Sequence, residues 1–121
     1  MARINGRSIS RGVAHGTALV SPALISFYGG VNPETGTVVE KNHPLFGESI
    51  SHRVLVFPAG KGSTVGSYIL FRLSRADIAP AAIVNRECDA VVAVGAIISD
   101  IPAVDQLKRD PLKFLHTGDR V

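Results

Sequence analysis

Cysteine is scarce in this sequence, because Cys88 is the only cysteine among 121 residues. One cysteine cannot form a disulfide within the chain, and it cannot build a metal site by itself. We therefore interpret Cys88 as a small buried side chain. We expect this chain alone to bind no metal ion.

Long apolar runs and basic runs are absent as well. No stretch reaches the about 20 apolar residues that span a membrane, and residues 1–6 lack the apolar core of a signal peptide. The net charge is +3, but the lysines and arginines are scattered and are not interleaved with aromatic side chains that could stack on bases. We therefore predict a cytoplasmic protein that binds neither nucleic acid nor membranes. A diffuse positive field suits a small anionic substrate.

Glycine and proline are plentiful, and the 12 glycines and 7 prolines indicate many turns. The length fits one domain over residues 1–121. Asn5-Gly6 is a tight-turn signal and residues 17–20 have strand character, so we predict an opening hairpin or meander. Residues 37–39 are predicted to form another short strand.

The clearest pattern is a strand, a glycine-rich loop and a helix. Residues 53–58 are apolar and rich in β-branched side chains, which predicts a buried strand. After the loop at 59–64, apolar residues recur on one helical face, namely Val65, Tyr68, Ile69, Leu73 and Ala76. A strand at 80–85 then favours a parallel crossover. Residues 87–100 are ambiguous, and we favour a short buried helix there, so the predicted fold class is α/β.

The loop Gly60-Lys61-Gly62-Ser63-Thr64 is the segment best suited to chemistry. Glycines before a helix let backbone N–H groups point at an anion, and the helix dipole adds to the attraction. Lys61 could add a positive charge. The spacing of a P-loop is absent. Residue types alone leave three roles open for Ser63: helix cap, anion ligand or catalytic group. Ser63 or Thr64 is the predicted N-cap.

Other polar residues give weaker signals. The four histidines share no metal-ligand spacing: His15, His43, His52 and His116. His43 precedes a proline in a predicted turn, so we expect it to be exposed. Asp105 and Asp119 are expected to face solvent.

Several blocks in a fixed order identify the sequence more specifically than one glycine loop does. They are residues 29–36, 43–49, 60–64, 79–83, 95–97 and 101–105. Together they resemble the small subunit of the aconitase X family over residues 12–105.

This resemblance implies an aconitase-type swivelling domain with β/β/α layers. It implies that a large catalytic subunit is the partner and carries an iron-sulfur cluster, with four irons and four sulfurs, and that the active site lies between the subunits. The family's base is a serine of the glycine-rich loop, which corresponds to Ser63. Lys61, Gly62 and Thr64 are then candidate substrate-binding residues, and Thr64 stands where the family often has a second serine.

The implied activity is that of a hydro-lyase. Archaeal relatives act in the mevalonate pathway to isoprenoids, where the reaction converts (R)-5-phosphomevalonate to trans-anhydromevalonate 5-phosphate. A first alternative is another aconitase X substrate, such as cis-3-hydroxyproline in bacterial relatives. A second alternative is an anion-binding module without catalysis. In a third, Ser63 is only a cap, and its loss would cost roughly 1 kcal/mol of stability.

Overall fold

The computed structural model describes residues 3–121, and its strands and helices alternate from the second strand onward. The elements are β1 Arg7–Ser10, β2 Ala18–Val20, α1 Phe27–Gly30, β3 Val54–Phe57, α2 Gly66–Arg75, β4 Ala82–Asn85, α3 Ala90–Ile98, β5 Ala103–Asp105 and α4 Pro111–Phe114. α1 is a single irregular turn, because Gly29 takes a φ of +87°. The predicted α/β class is confirmed. None of the helices described is long and apolar enough to cross a membrane.

The strands form one five-stranded sheet in the order β1-β5-β4-β3-β2. β2, β3, β4 and β5 are parallel neighbours, and β1 runs antiparallel to β5. The predicted crossover from β3 through α2 to β4 is confirmed, with a register from Val54 opposite Ala82 to Phe57 opposite Asn85.

The prediction of an opening hairpin or meander is wrong, because β1 and β2 lie at opposite edges of the sheet. Gly6 does not serve a turn between them. A Cβ on Gly6 would lie 2.8 Å from the Asp105 carbonyl oxygen, so glycine is required there by close approach to β5. The strand predicted at 37–39 is reduced to two isolated bridges, Val31 with Val38 and Thr37 with Ser49.

Both faces of β3 are buried, as expected for a central parallel strand. Leu55 and Phe57 point to the main core, which α2 and α3 cover. Val54 and Val56 point to the opposite face, where they pack with Val84. The two-residue period of a strand accounts for this division.

The outer edge of β2 is occupied by the last residues of the chain. The N–H of Ala18 donates to the Asp119 carbonyl at 2.8 Å, and the Ala18 carbonyl accepts from the Gly118 N–H at 2.9 Å. Gly16 and Val121 exchange two further backbone hydrogen bonds. β2 is therefore hydrogen-bonded on both sides, to β3 on one and to residues 118 and 119 on the other.

The predicted helix after the loop is confirmed as α2. Of its predicted apolar face, Leu73 is buried and Ile69 packs against the core, but the rest of the buried face differs from the prediction. Tyr68 is 69% exposed and Val65 is 40% exposed. α2 instead packs on α3 through Leu70 and Ser67, because Gly95 of α3 allows close approach: a Cβ there would lie 3.2 Å from Ser67 Cα. The predicted helix within 87–100 is also confirmed, although Val94 and Ile97 of α3 are exposed.

Candidate functional site

The glycine-rich loop leaves β3 at the carboxyl edge of the parallel strands and leads into α2. Open α/β sheets bind ligands beyond this edge. The edge is held together at its start: the Pro58 carbonyl accepts the N–H groups of Arg86 at 3.1 Å and Glu87 at 3.3 Å. The Asn85 amide also donates to the Phe57 carbonyl, at 3.0 Å. The loop thus starts from a fixed base.

The first half of the loop is fixed by hydrogen bonds on two sides. The Ile25 N–H donates to the Ala59 carbonyl at 3.2 Å, and the Lys61 N–H donates to the Ile25 carbonyl at 3.0 Å. From the other side, the Asp89 carboxylate accepts the Gly60 N–H at 2.8 Å. The backbone from Ala59 to Lys61 therefore has little freedom.

The second half of the loop presents free donors. Gly62 has a φ of +92°, and a Cβ there would lie 2.7 Å from Ser26 Oγ, so this bend requires glycine. Within residues 3–121, no acceptor faces the N–H groups of Gly62, Ser63 and Thr64. Three successive unpaired N–H groups next to a helix N-terminus can bind an anion.

Ser63 is exposed at the tip of this loop. Its Oγ accepts the Val65 N–H at 3.1 Å. The N-cap of α2 is Val65, and no side chain caps that helix, so the prediction that Ser63 or Thr64 occupies the N-cap is wrong. The Ser63 hydroxyl instead closes a turn between Ser63 and Val65, directly before α2. It is held in place by a backbone donor and is accessible from solvent.

Lys61 lies beside the loop but is not free. Its Nζ lies 3.2 Å from Glu40 Oε2, and the two side chains are 45% and 31% exposed. An ion pair this exposed contributes little stability. An anionic ligand could therefore compete with Glu40 for Lys61. No sequence pattern pointed to Glu40, because it lies 21 positions before Lys61.

Asp89 was also missed in the sequence analysis. It is the N-cap of α3, and its side chain accepts the Val92 N–H at 3.3 Å. The signal was present, because an aspartate directly before the apolar run of 90–98 is a typical helix start. Its bond to Gly60 could not be predicted, because it depends on how the chain folds.

The residues described do not fit an iron-sulfur cluster. Residues 3–121 contain no group of three or more histidine, cysteine, aspartate or glutamate side chains that could hold a metal ion. Cys88 is partly buried. Burial, followed by the charges of Asp89 and Asp105, raises the pKa of its thiol to about 12. Cys88 is thus a poor thiolate donor at neutral pH.

The histidines are not brought together by the fold, and one was misjudged. The expectation that His43 is exposed is wrong, since only 7% of it is accessible. Its Nδ1 accepts the Leu45 N–H at 3.0 Å, so Nε2 carries the proton and donates to the Leu24 carbonyl at 3.0 Å. His43 therefore joins two loops, which explains why a turn histidine is buried.

The expectation that Asp105 faces solvent is also wrong, because its side chain is fully buried. It accepts two hydrogen bonds from Arg7, at 2.9 and 2.7 Å, and one from the Cys88 N–H at 2.7 Å. The Arg7 guanidinium lowers the pKa of this carboxyl below its ordinary value, and the Cys88 N–H acts in the same direction. Asp105 is buried because these donors replace water. Asp119 is half exposed and binds the His116 N–H.

Comparisons with known proteins agree with this geometry. The family described as "Aconitase X swivel domain" matches residues 3–121. The phosphomevalonate dehydratase small subunit of Methanosarcina mazei is 57% identical over 98% of this chain and 83% of its own length. That of Methanosarcina acetivorans is 55% identical over 98% of this chain and 83% of its own length.

A solved structure shares the fold. The crystal structure of Thermococcus kodakaraensis aconitase X in its holo form superimposes with a TM-score of 0.92. It is 47% identical, and the match covers 98% of this chain and 88% of that one. The resemblance inferred from the sequence blocks is confirmed, and the chain belongs to the aconitase X swivel domain family.

Proposed function

We propose that this chain is the small subunit of a phosphomevalonate dehydratase, which removes water from (R)-5-phosphomevalonate to give trans-anhydromevalonate 5-phosphate. The observation that carries the proposal is the name shared by relatives that are 57%, 51% and 55% identical over 98% of the chain. The exposed Ser63 hydroxyl among unpaired backbone donors supports the proposal, since it offers a site for an anionic hydroxy acid.

The partner in this proposal is a large subunit, as the words "small subunit" in the relatives' name suggest. We assign the iron-sulfur cluster that the family resemblance implies to that subunit, because the described residues of this chain offer no matching ligand set. The substrate would bind between the two subunits. We place the complex in the cytoplasm.

In this proposal, the glycine-rich loop binds an anionic group of the substrate. The N–H groups of Gly62, Ser63 and Thr64 are unpaired in the structure described, and they lie at the positive end of the α2 dipole. Lys61 would leave its ion pair with Glu40 and contribute its positive charge to substrate binding. We therefore propose Lys61, Gly62 and Thr64 as substrate-binding residues.

Ser63 is the proposed catalytic base. It would take the proton from the carbon α to the substrate carboxylate, and the substrate hydroxyl would leave with a proton as water. A neutral serine is a weak base, so its alkoxide must be stabilised. The Val65 N–H already points at Ser63 Oγ, and such preorganised donors stabilise developing negative charge.

The test is Ser63→Ala in a complex produced anaerobically with the large subunit. We expect turnover of (R)-5-phosphomevalonate to fall below detection, while the subunits still assemble and the stability of the chain changes by no more than roughly 1 kcal/mol. The measurement is formation of the anhydro product. Ser74→Ala is the matched control, because Ser74 also forms one hydrogen bond but lies at the far end of α2.

Two outcomes would contradict parts of the proposal. Near-normal turnover in Ser63→Ala would refute the assignment of the base. A stable complex with the large subunit that leaves phosphomevalonate unchanged would refute the substrate and favour another hydroxy acid, such as cis-3-hydroxyproline.

A further inference from the structure

Asp89 uses its two carboxylate oxygens for two different purposes. Oδ2 accepts the Val92 N–H of α3 at 3.3 Å, and Oδ1 accepts the Gly60 N–H of the glycine-rich loop at 2.8 Å. We infer that Asp89 joins the glycine-rich loop to the start of α3 and is thereby a positioning residue for Ser63. The inference rests on the proposed function of Ser63.

Helix capping alone does not explain this arrangement. A helix cap needs one acceptor for one unpaired N–H group, and serine, threonine or asparagine satisfies it about as well as aspartate. Only Oδ2 of Asp89 serves α3. The second bond is made to a segment 29 positions earlier in the sequence, and it is the shorter of the two.

The loop is shaped to receive this bond. A Cβ on Gly60 would lie 2.7 Å from Val92 Cγ2 and 2.9 Å from Asp89 Oδ1. A side chain at position 60 would thus push the loop away from α3. Glycine allows the N–H group and the carboxylate to meet while Val92 stays fully buried.

The bond lies where it can control the position of the serine. Besides the Asp89 bond, two anchors hold the loop: Ile25, which pairs with Ala59 and Lys61, and the Gly66 N–H, which donates to the Ser63 carbonyl at 3.0 Å. Without the Asp89 bond, the segment before Ser63 would be held from the Ile25 side alone, and it could shift towards or away from α3. A displacement of about 1 Å at a reacting group can cost roughly 100-fold in rate. Such a displacement would reduce catalysis more than binding.

The decisive variant is Asp89→Ser, which keeps a good helix cap but removes the second carboxylate oxygen. In the complex with the large subunit we expect kcat to fall by between about 10-fold and 100-fold, with KM within about 3-fold of normal. Asp89→Asn, which keeps the shape and one acceptor, should recover part of the lost kcat. A merely structural role predicts unchanged kcat well below the melting temperature.

Amide hydrogen exchange tests the bond without an activity assay. In the full 121-residue chain, the Gly60 amide should exchange at least about 10-fold faster in Asp89→Ser, because its acceptor is lost. The Val92 amide should stay protected by the serine cap. Asp110→Ser is the matched control, because the Asp110 carboxylate caps α4 at Leu112 and pairs with the Arg86 side chain rather than with the glycine-rich loop, and we expect normal kcat and normal Gly60 exchange.

Unchanged exchange at Gly60 in Asp89→Ser would overturn the inference, and so would faster exchange with normal kcat. Full activity in Ser63→Ala would instead refute the proposed base, whatever Gly60 does. The two failures are therefore distinguishable.

Discussion

Asp105→Asn removes the charge from a buried carboxylate and should destabilise the chain. Asp105 accepts three hydrogen bonds, two of them from Arg7, and its side chain is 0% exposed. Asparagine retains one oxygen, but its amide N–H groups would then face either Arg7 or the Cys88 N–H. A donor would thus point at a donor in a place that water does not reach.

The magnitude follows from these contacts. A hydrogen bond to a charged group contributes about 1.5 to 3 kcal/mol, and a broken buried pair costs up to about 5 kcal/mol. Arg7 is half exposed, so water screens the pair and partly solvates the guanidinium after the substitution. We therefore expect a loss of about 2 to 3 kcal/mol at pH 7, which corresponds to a melting temperature about 10 °C lower.

The loss should depend on pH in a defined direction. Arg7 lowers the pKa of Asp105 in the folded state, whereas the unfolded carboxyl titrates near its ordinary value of about 4. A lowered folded pKa gives stability that is fully present above the unfolded pKa and disappears as the pH falls through the folded pKa. The difference between the wild-type chain and Asp105→Asn should therefore shrink below about pH 4.

The assay is urea unfolding of both chains between pH 3 and pH 7. Asp110→Asn is the control, because Asp110 also pairs with an arginine but in an exposed position, and we expect it to lose less stability. A stability difference that stays constant across this range, or an Asp105→Asn chain as stable as the wild type at pH 7, would refute the reasoning.

Two further predictions concern the loop and the cysteine. Gly62→Ala should cost about 1 to 2 kcal/mol of backbone strain at its φ of +92°, and it should lower kcat because its Cβ would also meet Ser26 Oγ. Gly29→Ala is the control, because Gly29 has a φ of +87° and a Cβ there would have no atom within 4 Å, so it carries the strain alone. Equal effects of the two variants on kcat in an activity assay would contradict this. Cys88, with its pKa raised to about 12, should react with iodoacetamide at pH 8 at least about 10-fold more slowly in the folded chain than in urea. Equal rates in a mass-spectrometric time course would show that the fold does not protect the thiol.

The sequence predicted the local elements and the loop between them. The β-branched run at 53–58, the glycines at 60 and 62 and the apolar run at 90–98 act over neighbouring residues, so β3, the loop and α3 could be found without coordinates. The pairing of Arg7 with Asp105 could not, because the residues lie 98 positions apart. Local spacing pointed to Ser63, whereas the bonds of Glu40 to Lys61 and of Asp89 to Gly60 span 21 and 29 positions and are seen only in the folded chain.

The paired edge of β2 limits how this chain can meet a partner. Exposed strand edges invite another chain to add a strand. Here the N–H and carbonyl of Ala18 are already bonded to residues 118 and 119. A strand from another chain would therefore have to displace these residues before it could pair with β2. A partner at this edge would have to recognise side chains rather than backbone, which favours selective association over the indiscriminate pairing that leads to aggregation.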